Sequence, residues 1–325
     1  MATRCVLLLL LACTLALSAG VGAETVAVSA RPVALNASDP GQHAVGDLEY
    51  RGGLHLVSKH PSFGGLSSIR ILADGQKLVA ITDEGFWLAA RPVLRKGVLE
   101  GIEDVEMGPL LGPDGRVLAG KTARDAESLA LLADDSFVVG FERHHRLLRY
   151  PSGTGRPDGV PRPVPSPPGL DKAPPNGGIE SLVVLRGGAL FALTEDWLDK
   201  DEIVGWTDGP DRWQRLGLRP DGRLRPADAA ALPDGDVLVL ERAYDAARGI
   251  VDVRTRRIPR ASIRPGATLT GRVVAEFAPP LVLDNYEGIA VARALNGETH
   301  VYIVSDDNFD RVRQRTLLLM FALRK

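Results

Sequence analysis

Apolar and polar positions alternate in short segments along most of the chain, and one arrangement of them occurs five times. In each copy an apolar strand leads into a tight turn, which is Asp-Gly or Asn-Gly in three copies, and a second apolar strand follows. These turn pairs supply the positive φ angles of two-residue hairpins. The pattern therefore predicts five β-hairpins, with first strands that begin near residues 67, 127, 180, 228 and 287.

The spacing of the hairpins predicts how they are arranged. They follow one another at roughly 50 to 60 residues, and helical periodicity is nearly absent. A single hairpin cannot bury its apolar face, whereas blades stacked around an axis can, so we expect an all-β protein with a β-propeller fold. About 300 residues at roughly 50 per blade predict six blades. Only five hairpins are legible, so five blades remain possible, with residues 47–58 as the candidate for a sixth.

Two further segments bear on the limits of the fold. The last apolar run, residues 316–323, is expected to close the ring by pairing with an early strand such as residues 25–29. Residues 151–175 hold nine prolines, and proline cannot donate to a strand ladder, so this segment is expected to be an exposed loop between blades. The hairpin repeat continues on both sides of the loop. We therefore expect one domain over residues 24–325.

The first 23 residues have the pattern of a cleaved secretory signal peptide. A positively charged start is followed by an apolar run over residues 5–17 and by small residues that end at Ala23. The run is too short to cross a bilayer of about 30 Å, so no membrane span is expected. The sequence predicts a periplasmic or secreted protein. A lipid anchor on Cys13 is the alternative.

Composition narrows the function further. Both cysteines, Cys5 and Cys13, lie in the predicted signal peptide, so the mature chain would have no disulfide and would depend on its core for stability. The formal net charge of −2 is close to neutral, which argues against a nucleic-acid partner.

Acidic residues recur at matched ends of the hairpins. Glu127, Glu180 and Glu287 begin first strands, and Asp228 does so with an offset of one residue. A hairpin brings the start of its first strand and the end of its second strand to the same edge, so these acids should gather at one face of the ring. The second strands also end in acids, at Asp83-Glu84, Glu142-Arg143, Glu195-Asp196, Glu241-Arg242 and Asp306-Asp307.

So many neighbouring carboxylates repel one another unless a cation offsets their charge. Ca²⁺ takes six to eight oxygen ligands in flexible geometry, so we expect a calcium site, with Mg²⁺ as the alternative. Acids at strand ends can also be simply solvated, or can form ion pairs between blades. The predicted ligands are Glu127, Glu180, Glu287, Glu195, Glu241, Asp306 and Asp83.

The candidate catalytic residues are Glu142, Arg143, Arg242 and His144. Glu142 is expected to act as a base, and either arginine could hold an anionic substrate through a bidentate contact. His144 follows Glu142-Arg143 and could act as a general base at the mouth of the site. His144 and His145 could equally be two exposed loop residues. No Gly-x-Ser-x-Gly or phosphate-binding loop is present in the sequence.

Nine short motifs lie within about residues 48–323, nearly the whole mature chain: Phe63-Gly64-Gly65-Leu66-Ser67, Asp83-Glu84-Gly85, Gly108-Pro109-Leu110, Arg124-Asp125-Ala126-Glu127-Ser128-Leu129, Phe141-Glu142-Arg143-His144, Asn176-Gly177-Gly178-Ile179-Glu180-Ser181-Leu182, Leu240-Glu241-Arg242, Asp284-Asn285-Tyr286-Glu287-Gly288 and Ser305-Asp306-Asp307-Asn308. As a set they resemble the bacterial phytase-like family, which is described as having esterase-like activity of phytase. The resemblance implies an exported β-propeller. With seven lysines the chain is a poor match for phytate itself.

Two functions of different class follow. The first is a metal-dependent hydrolase of phosphate esters or other esters, which acts on a small anionic substrate at the acidic face of the propeller. The second is a non-catalytic propeller in the periplasm that binds a ligand or a protein and uses its acids to hold a structural ion.

Overall fold

The computed structural model describes residues 22–72, 75–151, 153–209, 212–245 and 249–324. Residues 1–21 of the predicted signal peptide lie outside the described residues. Within the described residues, no helix is both long and apolar enough to cross a bilayer.

The chain forms a β-propeller of five blades, which confirms the predicted fold with the smaller of the two expected blade counts. Each predicted hairpin supplies the two strands nearest the axis. The innermost strands contact one another in chain order, and the last of them contacts the first, so the ring is closed. From the axis outward, blade 1 contains Leu66–Leu72, Lys77–Thr82, Phe86–Arg95, Val98–Pro109 and Glu24–Thr25, and blade 2 contains Ala126–Leu131, Phe137–Phe141, Arg146–Tyr150 and Arg162–Val164.

The remaining blades follow the same plan. Three short helical segments lie wholly within the described residues: Lys121–Arg124, Leu170–Lys172 and Arg260–Ser262. Blade 3 contains Ile179–Val184, Leu190–Asp199, Glu202–Gly209, Arg212–Leu218 and Thr268–Leu269; blade 4 contains Arg225–Ala231, Val237–Asp245, Gly249–Ile258 and Arg272–Phe277; and blade 5 contains Tyr286–Arg293, Thr299–Ser305, Thr316–Leu323, Leu48–Val57 and Ser29–Pro32, with Ala44–Val45 paired to Leu48–Val57.

Ring closure differs in detail from the prediction. Thr316–Leu323 pairs antiparallel with Leu48–Val57, so residues 47–58 belong to blade 5 and do not form a sixth blade. The predicted partner, residues 25–29, is divided: Glu24–Thr25 extends blade 1 and Ser29 begins the outermost strand of blade 5. The ten-residue strand offers a longer ladder and buries Leu48 and Leu54 completely, which a five-residue segment could not do.

The proline-rich segment is only partly a loop. Arg162–Val164 pairs with the strand Arg146–Tyr150 as the outer edge of blade 2, which corrects the expectation that the segment is free of strand. Pro163 is tolerated there because an outermost strand has only one neighbour and needs no ladder donor on its other side. Residues 153–161 lie between the third and fourth strands of blade 2, and residues 165–175 lead from blade 2 toward blade 3.

The hydrophobic core lies between the blades. Five separate clusters of buried side chains occupy the five interfaces between adjacent blades. Trp87 and Trp206 are among the largest fully buried side chains. Burial between stacked faces leaves the two ends of the ring to loops and strand termini, and the candidate site lies at one of these ends.

Candidate functional site

A β-bulge occurs at the same place in every inner hairpin. Near the start of each innermost strand the pairing register shifts, and one residue is left without a partner. A bulge re-aims the side chain that it carries. In blades 1, 2, 3 and 5 that side chain lines an axial pocket, while in blade 4 it is a buried alanine. The five bulge residues are Ser67, Glu127, Glu180, Ala227 and Glu287.

A second position that recurs in every blade lies on the neighbouring strand or directly after it. The residue just before the bulge pairs with a residue of that strand, and the position in question is the next residue after this partner. In four blades the amide of this residue donates to the carbonyl two residues before the bulge. All five residues at this position line the pocket, so the same backbone position in each blade supplies one side chain to the site. The five residues are Asp83, Glu142, Glu195, Arg242 and Asp306.

Blade 4 departs from the acidic pattern because its acids are displaced by one residue. Asp228 lies one residue after the bulge and Glu241 one residue before Arg242, and a shift of one residue turns a strand side chain to the opposite direction. Asp228 is therefore buried against Arg70. The Glu241 carboxylate accepts hydrogen bonds from Arg254, at 2.9 Å, and from Arg256. The expectation that Glu241 faces the shared site is wrong, and Arg242 lies there instead.

The pocket has a volume of about 320 Å³. Every side chain in its lining is polar or charged. The lining consists of Ser67, Asp83, Lys121, Asp125, Glu127, Glu142, Arg143, Asn176, Glu180, Glu195, Arg242, Glu287, Asp306 and Asn308.

Three cations offset part of the negative charge. Lys121 Nζ lies 2.5 Å from Asp83 Oδ2 and 2.7 Å from Asp125 Oδ1. Arg143 contacts Asp125 Oδ2 through Nε at 2.5 Å. On the other side, Arg242 bridges two blades, with Nη2 at 3.0 Å from Glu195 Oε1 and 2.9 Å from Glu287 Oε1.

Glu180 lies between these groups and has no such partner. It is 5 % exposed, and none of the hydrogen bonds or ion pairs found among the described residues involves its carboxylate. Burial raises the pKa of Glu180 well above its usual range, and the carboxylates of Glu142 and Glu127 raise it further. A buried, unpartnered carboxylate directed into a pocket is a strong ligand for a cation.

The pKa values of several pocket carboxyls are raised. Burial raises the pKa of Glu142 to about 8, against an opposing hydrogen bond from the Gly178 amide. Burial likewise raises the pKa of Glu287 to about 7, although the Arg242 guanidinium lowers it in part. The pKa values of Glu127 and Asp306 lie well above their usual range because both carboxyls are desolvated beside other carboxylates. The geometry thus holds more carboxylates together than can ionise without a counter-charge.

The donor set fits a hard divalent cation. One oxygen from each of Asp125, Glu127 and Glu142 lies within 4.8 Å of the other two. Asp83 Oδ1 is buried without a hydrogen-bond partner among the described residues. Oxygen ligands without thiol or imidazole favour Ca²⁺ or Mg²⁺ over zinc or copper.

The remaining predicted residues divide between the pocket and the surface. Glu142, Arg143 and Arg242 line the pocket, whereas the side chain of His144 is exposed on the turn beyond it. Sequence reasoning missed Ser67, Lys121, Asp125, Asn176 and Asn308. Asp125 stands two residues before Glu127 and could have been found by extending the acidic motif. Lys121 begins the short helix Lys121–Arg124, which is no part of the repeated hairpin, so only the fold places it here.

Comparison with known proteins identifies a family. The model of the phytase-like family, described as esterase-like activity of phytase, matches residues 61–309. No curated protein matches the sequence.

Several solved structures resemble the fold at low identity. A gluconolactonase from Xanthomonas campestris has a TM-score of 0.44 at 12% identity, over 90% of this chain and 98% of its own. A protein of unknown function from Bacteroides thetaiotaomicron has a TM-score of 0.47 at 12% identity, over 91% and 76%. A streptogramin B lyase has a TM-score of 0.41 at 8% identity, over 90% and 98%. At this distance the activities of these proteins do not transfer to this chain.

Proposed function

This chain belongs to the phytase-like family, and from that premise we propose that it is an exported, metal-dependent hydrolase of phosphate esters or other esters. The reaction takes place in the axial pocket, and the ion is of the calcium type. Residues 1–23 act as the export signal, and residues 24–325 form one propeller domain that works in the periplasm or outside the cell.

The excess of negative charge in the pocket supports the proposal. Eight carboxylates and three cationic side chains line it. One of the acids, Glu180, is repelled by four other carboxylates of the pocket and has no hydrogen-bonding partner among the described residues. Exposed acids can spread apart in water, but five of these eight are buried and the other three are half-buried. A divalent cation offsets their repulsion and satisfies their lone pairs at once.

Glu127 and Glu180 are the principal ligands in this proposal. Neither carboxylate forms an ion pair among the described residues, whereas Glu195 and Glu287 share Arg242, and Asp83 contacts Lys121. Asp306 and Asp83 add oxygens that carry no hydrogen bond among the described residues. Glu287 would have to share an oxygen with the ion, because Arg242 and Asn285 contact both of its carboxylate oxygens. Asp125 lies close enough to Glu127 to contribute as well.

The chemistry then divides between the ion and the side chains. A bound divalent cation supplies Lewis acidity toward the ester oxygen and toward a water molecule. Glu142 would accept the proton of an attacking water, because a carboxyl with a pKa of about 8 exchanges protons near neutral pH. Arg143 uses Nε for Asp125, so its outer nitrogens can orient an anionic group. Arg242 holds Glu195 and Glu287 in place.

A second candidate is a non-catalytic propeller that holds a structural ion. Asp125 supports it, because this buried carboxylate is already neutralised by Lys121 and Arg143. An ion that only completes such a network would stabilise the ring without turnover.

One set of measurements separates the two candidates. Protein purified without chelator is analysed for metals, and its melting temperature is measured before and after EDTA and after Ca²⁺ is restored. Turnover is measured on aryl phosphates, phosphodiesters, carboxylic esters and lactones with added Ca²⁺. Hydrolysis of any of these that EDTA abolishes and Ca²⁺ restores supports the enzyme; stabilisation by the ion without turnover supports the structural role.

Matched variants test the ligands. Glu127→Gln and Glu180→Gln together should remove the effect of Ca²⁺ on the melting temperature and abolish turnover. Glu276→Gln, an exposed acid on the outer strand of blade 4, should leave both unchanged. If the double variant still binds Ca²⁺ like the wild type, the proposed ligands are wrong.

A further inference from the structure

An exposed aromatic residue stands beside the mouth of the pocket. The second strand of blade 5 ends at Ser305 and leads into a loop in which Asn308 lines the pocket and Phe309 follows directly. The Phe309 side chain is 38% exposed. Single exposed apolar side chains are common on protein surfaces, so exposure alone would mean little.

The backbone at this point is unusual. Asn308 and Phe309 have φ angles of 45° and 53°, in the left-handed region that is unfavourable for side chains with a Cβ and most of all for bulky ones. Two buried acids hold the loop in this shape. Asp306 Oδ1 accepts a hydrogen bond from the Asn308 amide at 2.7 Å, and Asp307 Oδ1 accepts one from the Phe309 amide at 3.2 Å.

The facing loop of blade 1 shows where the aromatic ring of Phe309 lies. Gly65 donates its amide to Asp307 Oδ1 at 3.2 Å. A Cβ atom added to Gly65 would lie 2.2 Å from Asp83 Oδ1 and 3.0 Å from a ring carbon of Phe309. Glycine is therefore required here, because a Cβ atom at this position would meet both a pocket carboxylate and the aromatic ring. The ring stands at the edge of the pocket, next to Asp83.

The position of the ring complements the pocket. Every residue that lines the pocket is polar or charged, so the pocket can act on the reacting group but offers no apolar contact to the rest of a substrate. Ligand sites usually combine a few polar groups with apolar or aromatic surface. Strained backbone that holds a residue in one orientation is concentrated at functional sites. Here hydrogen bonds to Asp306 and Asp307 hold the strained backbone, and with it an aromatic ring, at the rim of a polar pocket.

We propose that Phe309 is a specificity-determining residue, whose ring packs against an apolar group of the substrate, an aryl group above all, while the bond to be hydrolysed lies in the acidic pocket. The inference rests on the proposed hydrolase function and names its substrate class: esters that carry an apolar or aryl substituent. Asp306 and Asp307 are positioning residues, since they hold the loop that presents the ring.

Phe309→Ala and Phe309→Leu test the contact, with Val312→Ala as the matched control. Val312 lies on the same loop and is 94% exposed. For the ester class that the wild type hydrolyses, kcat and KM are measured on an aryl ester and on its methyl counterpart. Phe309→Ala should lower kcat/KM for the aryl ester about five- to tenfold, mainly through KM, and change the methyl ester less than twofold. For Phe309→Leu, kcat/KM for the aryl ester should lie between the values of the wild type and Phe309→Ala, and Val312→Ala should match the wild type.

Two kinetic outcomes overturn the inference and leave the hydrolase intact. One is an equal loss on both esters, which would make Phe309 a structural residue of the loop. The other is no loss on either ester. Melting temperatures of all three variants within about 3 °C of the wild type exclude unfolding as the cause of a loss.

A third outcome, no turnover of any ester by the wild type, overturns the proposed function. Binding of p-nitrophenol, measured by saturation-transfer NMR, then tests the ring contact by itself. Weaker binding to Phe309→Ala than to Val312→Ala supports an aromatic site at the rim, and equal binding to both overturns it.

Discussion

Arg70 on the innermost strand of blade 1 forms a bidentate ion pair with Asp228 on the innermost strand of blade 4, with both nitrogen–oxygen distances at 3.0 Å. Blades 1 and 4 are not neighbours in the ring, so the pair crosses the axis. Arg70 also donates to the main-chain carbonyls of Leu182 in blade 3 and Ile289 in blade 5. Four of the five blades are thereby joined by one guanidinium, close to the residues that line the pocket.

Removal of one partner of this pair should be costly. Asp228→Asn leaves the buried Arg70 guanidinium without its counter-charge, and we expect a loss of about 3–5 kcal/mol in the free energy of unfolding. Asp234→Asn, which removes one partner of an exposed pair with Arg257, should cost less than about 1 kcal/mol. Urea unfolding monitored by tryptophan fluorescence measures both. Equal losses in the two variants would contradict a special role for the axial pair.

Loss of the positive charge of Arg242 should strengthen metal binding. Arg242→Gln removes the positive charge between Glu195 and Glu287, so the pocket becomes more negative and the affinity for Ca²⁺ should rise about tenfold. The same variant without metal should be less stable than the wild type, because the two carboxylates then repel each other. Isothermal titration calorimetry gives the affinity. Arg215→Gln, from an exposed pair with Asp199, is the control, and an affinity for Ca²⁺ that falls in Arg242→Gln would contradict the prediction.

The metal-free protein should lose stability as the pH rises. A carboxyl whose pKa is higher in the folded than in the unfolded chain stabilises the fold while it is protonated, and that contribution disappears as the pH rises through the folded-state pKa. For Glu287 and Glu142 the folded values are about 7 and about 8, against an ordinary value of 4.5.

The window therefore runs from about pH 4.5 to pH 8. In EDTA the melting temperature should fall by several degrees between pH 5.5 and pH 8.5, as measured by circular dichroism. In saturating Ca²⁺ the fall should be smaller or reversed, since the ion binds the ionised carboxylates and displaces their protons. A melting temperature in EDTA that rises with pH over this range would contradict the picture of crowded buried acids.

Glu142→Gln separates catalysis from stability. If Glu142 accepts the proton of the attacking water, this variant should lower kcat about 10²- to 10⁴-fold. The melting temperature without metal should stay the same or rise, because one of several mutually repelling carboxyls becomes neutral. Kinetics with the best substrate of the panel and a thermal melt in EDTA give the two values. Unchanged kcat would remove Glu142 from the chemistry.

The sequence by itself determined the repeated unit of the fold. Turn pairs such as Asp234-Gly235 and the apolar strands around them predicted five hairpins, and these are the inner hairpins of the five blades. The pattern is local, because strand alternation and turn geometry depend only on nearby residues. For the same reason the recurrence of Glu127, Glu180 and Glu287 at strand starts was legible before the fold was known.

Ring closure was decided by tertiary structure alone. Thr316–Leu323 could have paired with several early segments, and it pairs with Leu48–Val57 because that strand offers the longest ladder and a matching buried face. Such a contact joins residues far apart in the chain, which local patterns do not encode.

The tertiary structure also decided which side chains line the pocket. A bulge at Ala227 sets the register of blade 4, so that Arg242 faces the axis while Asp228 and Glu241 turn away from the pocket. In the sequence the acids of blade 4 differ from those of its neighbours by a single position. A strand has a period of two residues, so that one position decides whether a side chain joins the pocket or leaves it.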